Sequence, residues 1–598
     1  GAVQQFVEND SIIYRCVTPG LPDVELPVAC NGSMNSQVRP DSDTRTIYIA
    51  GAANSLLPFT ATGLQTAGKN SSFFSATNLS QYGNLDPVTQ QPAVSLTNLV
   101  NYLRGQSQYE DRQSNPPLNR LFRAREAVLG DITESQLAYV GKPTFSYIDA
   151  GYDAFKTAQA SRTPMVYVGA NDGMLHAFDA DSLEEKWAFI PSAVLGNLWK
   201  LADINYGGNH QNFVNGSPVI ADVYDGTTWK TILVAGLNGG GRGYFAMDIT
   251  NPLSPSLLWE FGAANDNDIG YSFSPPVVTK TASGQWVVLL SSGYNNGNPG
   301  SGNGCVIALN ASSGAVSKKI CNGSGSAVAP SGLGPLAAWA DSPQTNNVTE
   351  LVYAGDLNGD VWKFNLTTSA VSRLATLKDK NGNRQPVTTE PALGNIRNTK
   401  VIFVGTGKYL ELADISNRSA QSLYALKDDP ALDSPAGVSA RTKLVQKTIT
   451  QSGSTRTINS SNVDYSTDLG WYLDWPDSGE RITLSPKLDM GTLIVPSNVP
   501  SDEACSPGGY GWLNLLDYAS GNNKFTTSGG VLAGKMYSSQ IVGYNVEYTK
   551  NGKRVISIIK ENDPNPEKAS EDDAGTQRFI GKRIVWRELV PDLVMPKP

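Results

Sequence analysis

Between Val166 and Trp187 the chain reads VYVGANDGMLHAFDADSLEEKW: an apolar β-branched and aromatic run, the turn Asn171-Asp172-Gly173, a second alternating run through Leu175, Ala177 and Asp179, and a closing tryptophan. Alternation on both sides of a tight polar turn predicts a β-hairpin. The pattern returns at Leu351 to Asn365, LVYAGDLNGDVWKFN, where Gly355 to Phe364 aligns with Gly169 to Phe178 without a gap. Further copies run over Ile232 to Trp259, from Val287 through Val306 to Asn310, over Val401 to Leu426 and from Gly491 to Gly521, and a last hairpin spans Met536 to Ile559 around Asn551-Gly552. About seven small antiparallel units at this period predict an all-β chain folded as a β-propeller, in which radial packing covers the sheet faces.

Ahead of the repeats, residues 1–125 carry no clear period and are rich in Ser, Asn, Gln and Thr. They predict a loop-rich polar segment or small subdomain with one strand (Thr46 to Ala50) and one helix (Ser95 to Leu103) capped by Ser95 or Thr97. Residues 126–598 form the propeller in this reading. A strand near Tyr139 to Tyr147 or near Arg583 to Leu589 is expected to close the ring.

Each unit ends in a recognisable signature. Ala177, Asp179, Ser182 and Trp187 approach the pattern A-x-D-x-x-[ST]-G-x-x-x-W, with Leu183 in place of the glycine. Quinoprotein propellers use that pattern to dock each indole against a neighbouring blade, with the N–H on a backbone acceptor. The expected fold is therefore quinoprotein-like, and the signature speaks for architecture rather than chemistry.

Composition narrows the function. Only 17% of the 598 residues are charged, with 58 Gly and 35 Pro, as in turn-rich exported β proteins. The net charge of -8 and the lack of any Lys/Arg cluster argue against nucleic acid. No apolar run reaches the length of a membrane span, and the start GAVQQFVEND is not a signal peptide, so the chain reads as a mature exported form or part of a longer protein. Cys16 with Cys30 and Cys305 with Cys321 have the spacing of local disulfides in an oxidising compartment, and Cys505 is unpaired in this reading.

Candidate chemistry is sparse. Of two histidines, His176 occupies the repeat position where Trp362 stands in another copy, which favours packing over catalysis. Gly236 to Gly243 (GLNGGGRG) lies between two strands and reads as a wide hairpin turn, not a phosphate cradle. Asp356, Asn358 and Asp360 have the 1, 3, 5 spacing of a calcium loop, but Val361 and Thr367 stand where an EF-hand needs Gly and Glu. Tight-turn chemistry is the competing account there and at Asn265 to Asp268.

Several motifs in order carry a family resemblance. LGDITESQLAYVGKP (Leu129 to Pro143), LVAGLNGGGRGYFAMDITNP, GYSFSPPVV (Gly270 to Val278), YAGDLNGDVWKF, GTGKYLE (Gly405 to Glu411), GWYLDWPDSGERI (Gly470 to Ile482), CSPGGYGWL (Cys505 to Leu513) and VWREL (Val585 to Leu589) resemble the C-terminal propeller of the PilC/PilY type IV pilus tip adhesins. The resemblance implies a non-enzymatic protein exported through the periplasm of a Gram-negative bacterium to the pilus tip or cell surface. Its implied work is to support pilus assembly, oppose retraction, promote twitching motility and bind minor pilins and a host or surface receptor. It also implies a preceding von Willebrand factor A-like domain, whose D-x-S-x-S signature is not in this sequence, and calcium in an acidic loop before Leu351. That loop reads ADSPQTNNVTE here, keeping Asp341 and Glu350 as carboxylates. Arg104-Gly105 is followed by Gln106, so the RGD of some relatives is missing. The competing reading is a periplasmic quinoprotein dehydrogenase or an outer-membrane assembly propeller. Specific function is expected where the copies differ, as in Gly293 to Gly304 and Lys427 to Asp468.

Overall fold

A computed structural model describes residues 2–8, 11–17, 44–69, 73–433, 439–459, 461–501, 508–527, 530–548, 554–561 and 563–570. Among these, six sheets have four or more strands and another has three. The described residues fall into two compact units: Gly1–Phe6, Ile13–Ser301 and Ile307–Lys319 in one, and Val7–Ile12, Gly302–Val306 and Ile320–Pro598 in the other.

The opening hairpin forms as its pattern dictates. Met165–Ala170 pairs antiparallel with Met174–Asp179, and the turn between them is made by Gly173 at φ +92°. Its repeat pairs Thr349–Gly355 with Asp360–Asn365 around Gly359 at φ +74°. His176 faces Val168 across the first pair as Trp362 faces Ala354 across the second, so the ungapped alignment is also a structural equivalence. GLNGGGRG joins the paired strands Trp229–Gly236 and Gly243–Asp248 as a hairpin turn.

The unit-ending signature is a lock built from local hydrogen bonds. Asp179 Oδ1 accepts from the Ser182 backbone and hydroxyl. Asn310 does the same for Ser313, Asn365 for the Thr368 backbone and Asp517 for Ser520. One residue further on, the chain enters the left-handed region at Leu183 (φ +56°), Gly314 (φ +69°), Ser369 (φ +63°) and Gly521 (φ +71°). Two of these positions hold glycine because an indole lies against them: a Cβ would sit 2.5 Å from the Trp259 ring at Gly314 and 2.9 Å from the Trp471 ring at Gly521. As the signature predicts, the buried Trp187 and Trp259 donate their indole N–H to the carbonyls of Pro252 (2.7 Å) and Ala311 (3.0 Å).

Two sequence expectations concern the first sheet. The strand containing Tyr139 (Ala138–Val140) lies on the edge of the first sheet and, among the described residues, pairs only with Met165–Ala170; Arg583 to Leu589 lies outside the described residues. Residues 1–125, expected as a polar segment or small subdomain, contribute their described part to the first sheet and its core. Ile47–Ala50 pairs in parallel with Glu185–Ile190, and Phe59, Leu64, Leu99, Tyr102 and Phe122 are buried in one core with Leu175, Trp187 and Phe189. A polar average hid these few apolar residues, which are enough to cover one sheet. The helix is Leu96–Leu103, and Ser95 Oγ caps it by accepting from the Asn98 backbone.

In the second unit, separate cores gather around Phe403, Trp471 and Leu493, around Tyr353, Ile402 and Tyr424, and around Ile494, Leu513 and Tyr544. The described part of the polar stretch 427–468 is sewn into this unit. Val445–Lys447 pairs in parallel with Gly470–Asp474, and Thr455–Ile458 pairs with Gly534–Tyr537. Arg456 anchors it, fully buried over the Trp512 ring (3.6 Å) and paired with the equally buried Glu480 (2.7 Å). Cys305 and Cys321 form the predicted disulfide, while Cys30 and Cys505 lie outside the described residues and so leave the other cysteine readings there.

Candidate functional site

Two surface features of the second unit gather chemistry. The first is a cavity of about 230 Å³ at the entrance to the repeat hairpin. Ala337–Ala340 pairs with Thr349–Gly355 until the register shifts between Trp339 and Ala340, where the loop 341–348 begins. The backbone N–H groups of Thr345, Asn346 and Asn347 all donate to the Ser342 carbonyl, which winds the loop on itself. Trp339, Asp341, Ser342, Asn346 and Glu350 line the cavity together with Lys400 from the strand Thr399–Gly405. The Trp339 indole donates to Asp341 Oδ1 at 2.7 Å, Asn365 donates to Glu350 Oε1 at 3.0 Å, and the Lys400 ammonium lies 4.9 Å from the Trp339 ring centroid.

The five carboxylate and amide residues singled out for calcium do not converge. Asp341 and Glu350 line this cavity, whereas Asp356, Asn358 and Asp360 lie at the far end of Thr349–Gly355, six residue steps or about 20 Å from Glu350 at ~3.3 Å per residue. In that turn the oxygens are already engaged. Buried Asp356 accepts from Ser331, the Trp362 indole and the Asp360 backbone at 2.9 to 3.0 Å, and burial raises its pKa to about 6. Asp360 accepts from Thr376 and Arg384, and the Asn358 carbonyl also accepts from Arg384. At 265–268 the Lys319 ammonium holds Asp266 and Asp268 at 2.8 Å. Calcium takes six to eight oxygen ligands. The turn spends its carboxylates on chain donors and an arginine, and the cavity offers two carboxylates beside a lysine, so neither donor set fits that ion.

The second feature is the loop that contains GTGKYLE. It leaves the strand Thr399–Gly405 and returns at Ser422–Lys427. Buried Asp414 accepts from the backbone N–H groups of Leu410 and Glu411 and meets Lys408 at 3.3 Å. Arg481, also buried, donates to the carbonyls of Lys408 (2.9 Å), Asp414 (2.6 Å) and Asn417. So braced, the loop presents Tyr409, Leu410 and Leu412 to solvent, with Leu412 86% exposed. Sequence reasoning quoted the stretches that hold Arg481 and Lys408 but assigned neither a role, because their spacing of 73 positions carries no local signal. Lys400 was missed for the same reason.

Both histidines are held by carboxylates. His176 is fully buried between Asp172 (3.1 Å) and Glu185 (2.8 Å), and Arg45 clamps Glu185 from its other side at 2.6 Å. His210 lies on the surface 3.0 Å from Asp131.

Sheets with repeated Asx-turn locks and buried docking tryptophans define a quinoprotein-like β-propeller. The family model described as the PilY1 beta-propeller domain matches residues 129–461. The chain is 34% identical over 506 residues to the type IV pilus biogenesis factor PilY1 of Pseudomonas aeruginosa PAO1, covering 75% of this chain and 42% of that protein. It is 34% identical over 508 residues to a PilY1 homolog of Xylella fastidiosa, covering 80% and 40%. The crystal structure of the Pseudomonas aeruginosa PilY1 C-terminal domain superposes with a TM-score of 0.58 at 28% identity, over 71% of this chain and 98% of that one. This chain belongs to the PilY1 β-propeller family and is a PilY1-type C-terminal propeller. It spans about two fifths of the length of the curated relatives it matches. Among the described residues no helix is long and apolar enough to cross a membrane.

Proposed function

We propose that the chain is the propeller portion of a non-enzymatic type IV pilus tip adhesin and assembly factor, which docks minor pilins through the loop 405–417. Outside the cell the same protein opposes pilus retraction and engages a host or surface ligand. A von Willebrand factor A-like domain ahead of the propeller belongs to this reading.

The observation that carries it is the braced loop. Exposed apolar side chains on a surface loop are costly to leave in water, and a loop held from below by a buried arginine and aspartate loses little further entropy on binding. Tyr409, Leu410 and Leu412 thus form a preorganised apolar knob, the arrangement that concentrates binding energy in few residues. Relatives named as type IV pilus biogenesis factors support a pilus-associated partner in general, and minor pilins are our choice within that class.

The test is retention of purified minor pilins on the immobilised chain. Burying Leu412 in a partner pocket contributes about 2 kcal/mol, so Leu412→Asp should weaken retention by more than ~10-fold while leaving the melting curve unchanged. Retention equal to wild type, or no minor pilin retained by the wild type, would refute the assignment.

A further inference from the structure

The cavity beside Trp339 combines an aromatic wall with charged and polar groups. At about 230 Å³ it is far larger than a bare cation needs and is of a size for a small polar molecule such as a single sugar ring. Its wall is mixed. The Trp339 indole supplies an apolar surface, Asp341 and Glu350 supply acceptors, Lys400 supplies donors, and Ser342 and Asn346 supply groups of both kinds.

Acceptor capacity remains on both carboxylates. Asp341 Oδ1 takes the indole N–H and Glu350 Oε1 takes Asn365. Asp341 Oδ2 and Glu350 Oε2 have no donor among the described residues. The Lys400 ammonium lies over the indole and has no ion-pair partner among the described residues. Two carboxylates and one ammonium leave a net charge of minus one. That balance repels an acidic sugar, and the resident ammonium opposes a divalent cation.

We propose that this cavity is a subsite for one neutral hexose unit of a surface glycan. Each sugar hydroxyl both donates and accepts, which matches carboxylates, amide and ammonium set around one indole. The loop needs little reorganisation, since its backbone is already wound onto Ser342 and Asn347 is held at φ +51°. The proposal deepens the surface-binding half of the proposed function and rests on it; it is independent of pilin docking at 405–417.

The experiment titrates the purified full chain separately with glucose, galactose, mannose, N-acetylglucosamine and calcium chloride. Binding is read by saturation-transfer NMR for the sugars and by calorimetry for calcium, with no pilin present. At least one sugar should bind saturably in the millimolar range and unchanged by EDTA. The Asp341→Asn/Glu350→Gln double variant should weaken it by about tenfold or more, as expected for losing charged hydrogen bonds. Both side chains are exposed, so the double variant keeps the wild-type melting curve, and Leu412→Asp should leave sugar binding untouched. Absence of saturable binding by all four sugars, or binding unaltered in the double variant, overturns the proposal. Saturable calcium heat that the double variant abolishes also overturns it and assigns the cavity to a cation. Because pilin retention is measured separately, failure here leaves the docking result standing.

Discussion

His176 offers a sharp test of how the first sheet is held. Burial alone would lower the pKa of its imidazole, but Asp172 and Glu185 outweigh that effect and raise it to about 9 from an ordinary 6.5. Folded protein therefore binds this proton more tightly than unfolded protein does. The stabilisation is complete below pH 6.5 and is lost as pH rises through 9. The gap corresponds to about 3 kcal/mol at ~1.4 kcal/mol per pH unit. Urea unfolding of wild type and His176→Gln, followed by fluorescence between pH 6 and 9.5, isolates this contribution because every other titrating group is shared. Wild type should lose about 3 kcal/mol relative to the variant across that window. Parallel stability curves would refute a charged His176 and with it the chain of ion pairs from Arg45 to Asp172.

Other outcomes follow from the same geometry. Arg481→Ala strips donors from the carbonyls of Lys408, Asp414 and Asn417, so hydrogen exchange across 407–417 should accelerate by tenfold or more, at about 1 to 3 kcal/mol per orphaned group. Ser369 is exposed at φ +63° where two other units carry Gly314 and Gly521, and Ser369→Gly should stabilise by about 1 kcal/mol in thermal melts. Replacing Cys305 and Cys321 by serine opens a crosslink across 16 positions and should cost about 3 kcal/mol in denaturant unfolding. Arg456→Met should destabilise by about 3 to 5 kcal/mol because it strands Glu480, and adding Glu480→Leu should recover much of that loss.

Much of the architecture was legible along the chain because its causes are local. The hairpin at Val166 to Trp187, its copy at Leu351, the Ser95 cap and the signature turn at Asp179 depend on alternation and on hydrogen bonds within a few residues. Leu183 could be seen to replace a glycine, and it takes the glycine-like conformation that the turn demands. Resemblance of ordered motifs pointed to the family for the same reason.

What sequence could not supply was convergence. Spacing made Asp356, Asn358 and Asp360 look like ligands, but a buried indole, a serine and Arg384 take up their oxygens, and Arg384 arrives from beyond the next strand. Arg45 meets Glu185 across 140 positions, Arg481 reaches back 67 to Asp414, and Lys400 faces a cavity whose other walls begin at Trp339. Alternation and turn type determined each hairpin, since both act within reach of one strand. Which charges neutralise one another, which loop is braced and which carboxylates stay open were decided by the packing of strands far apart in the chain, because Coulomb and hydrogen-bond energies depend on distance in space.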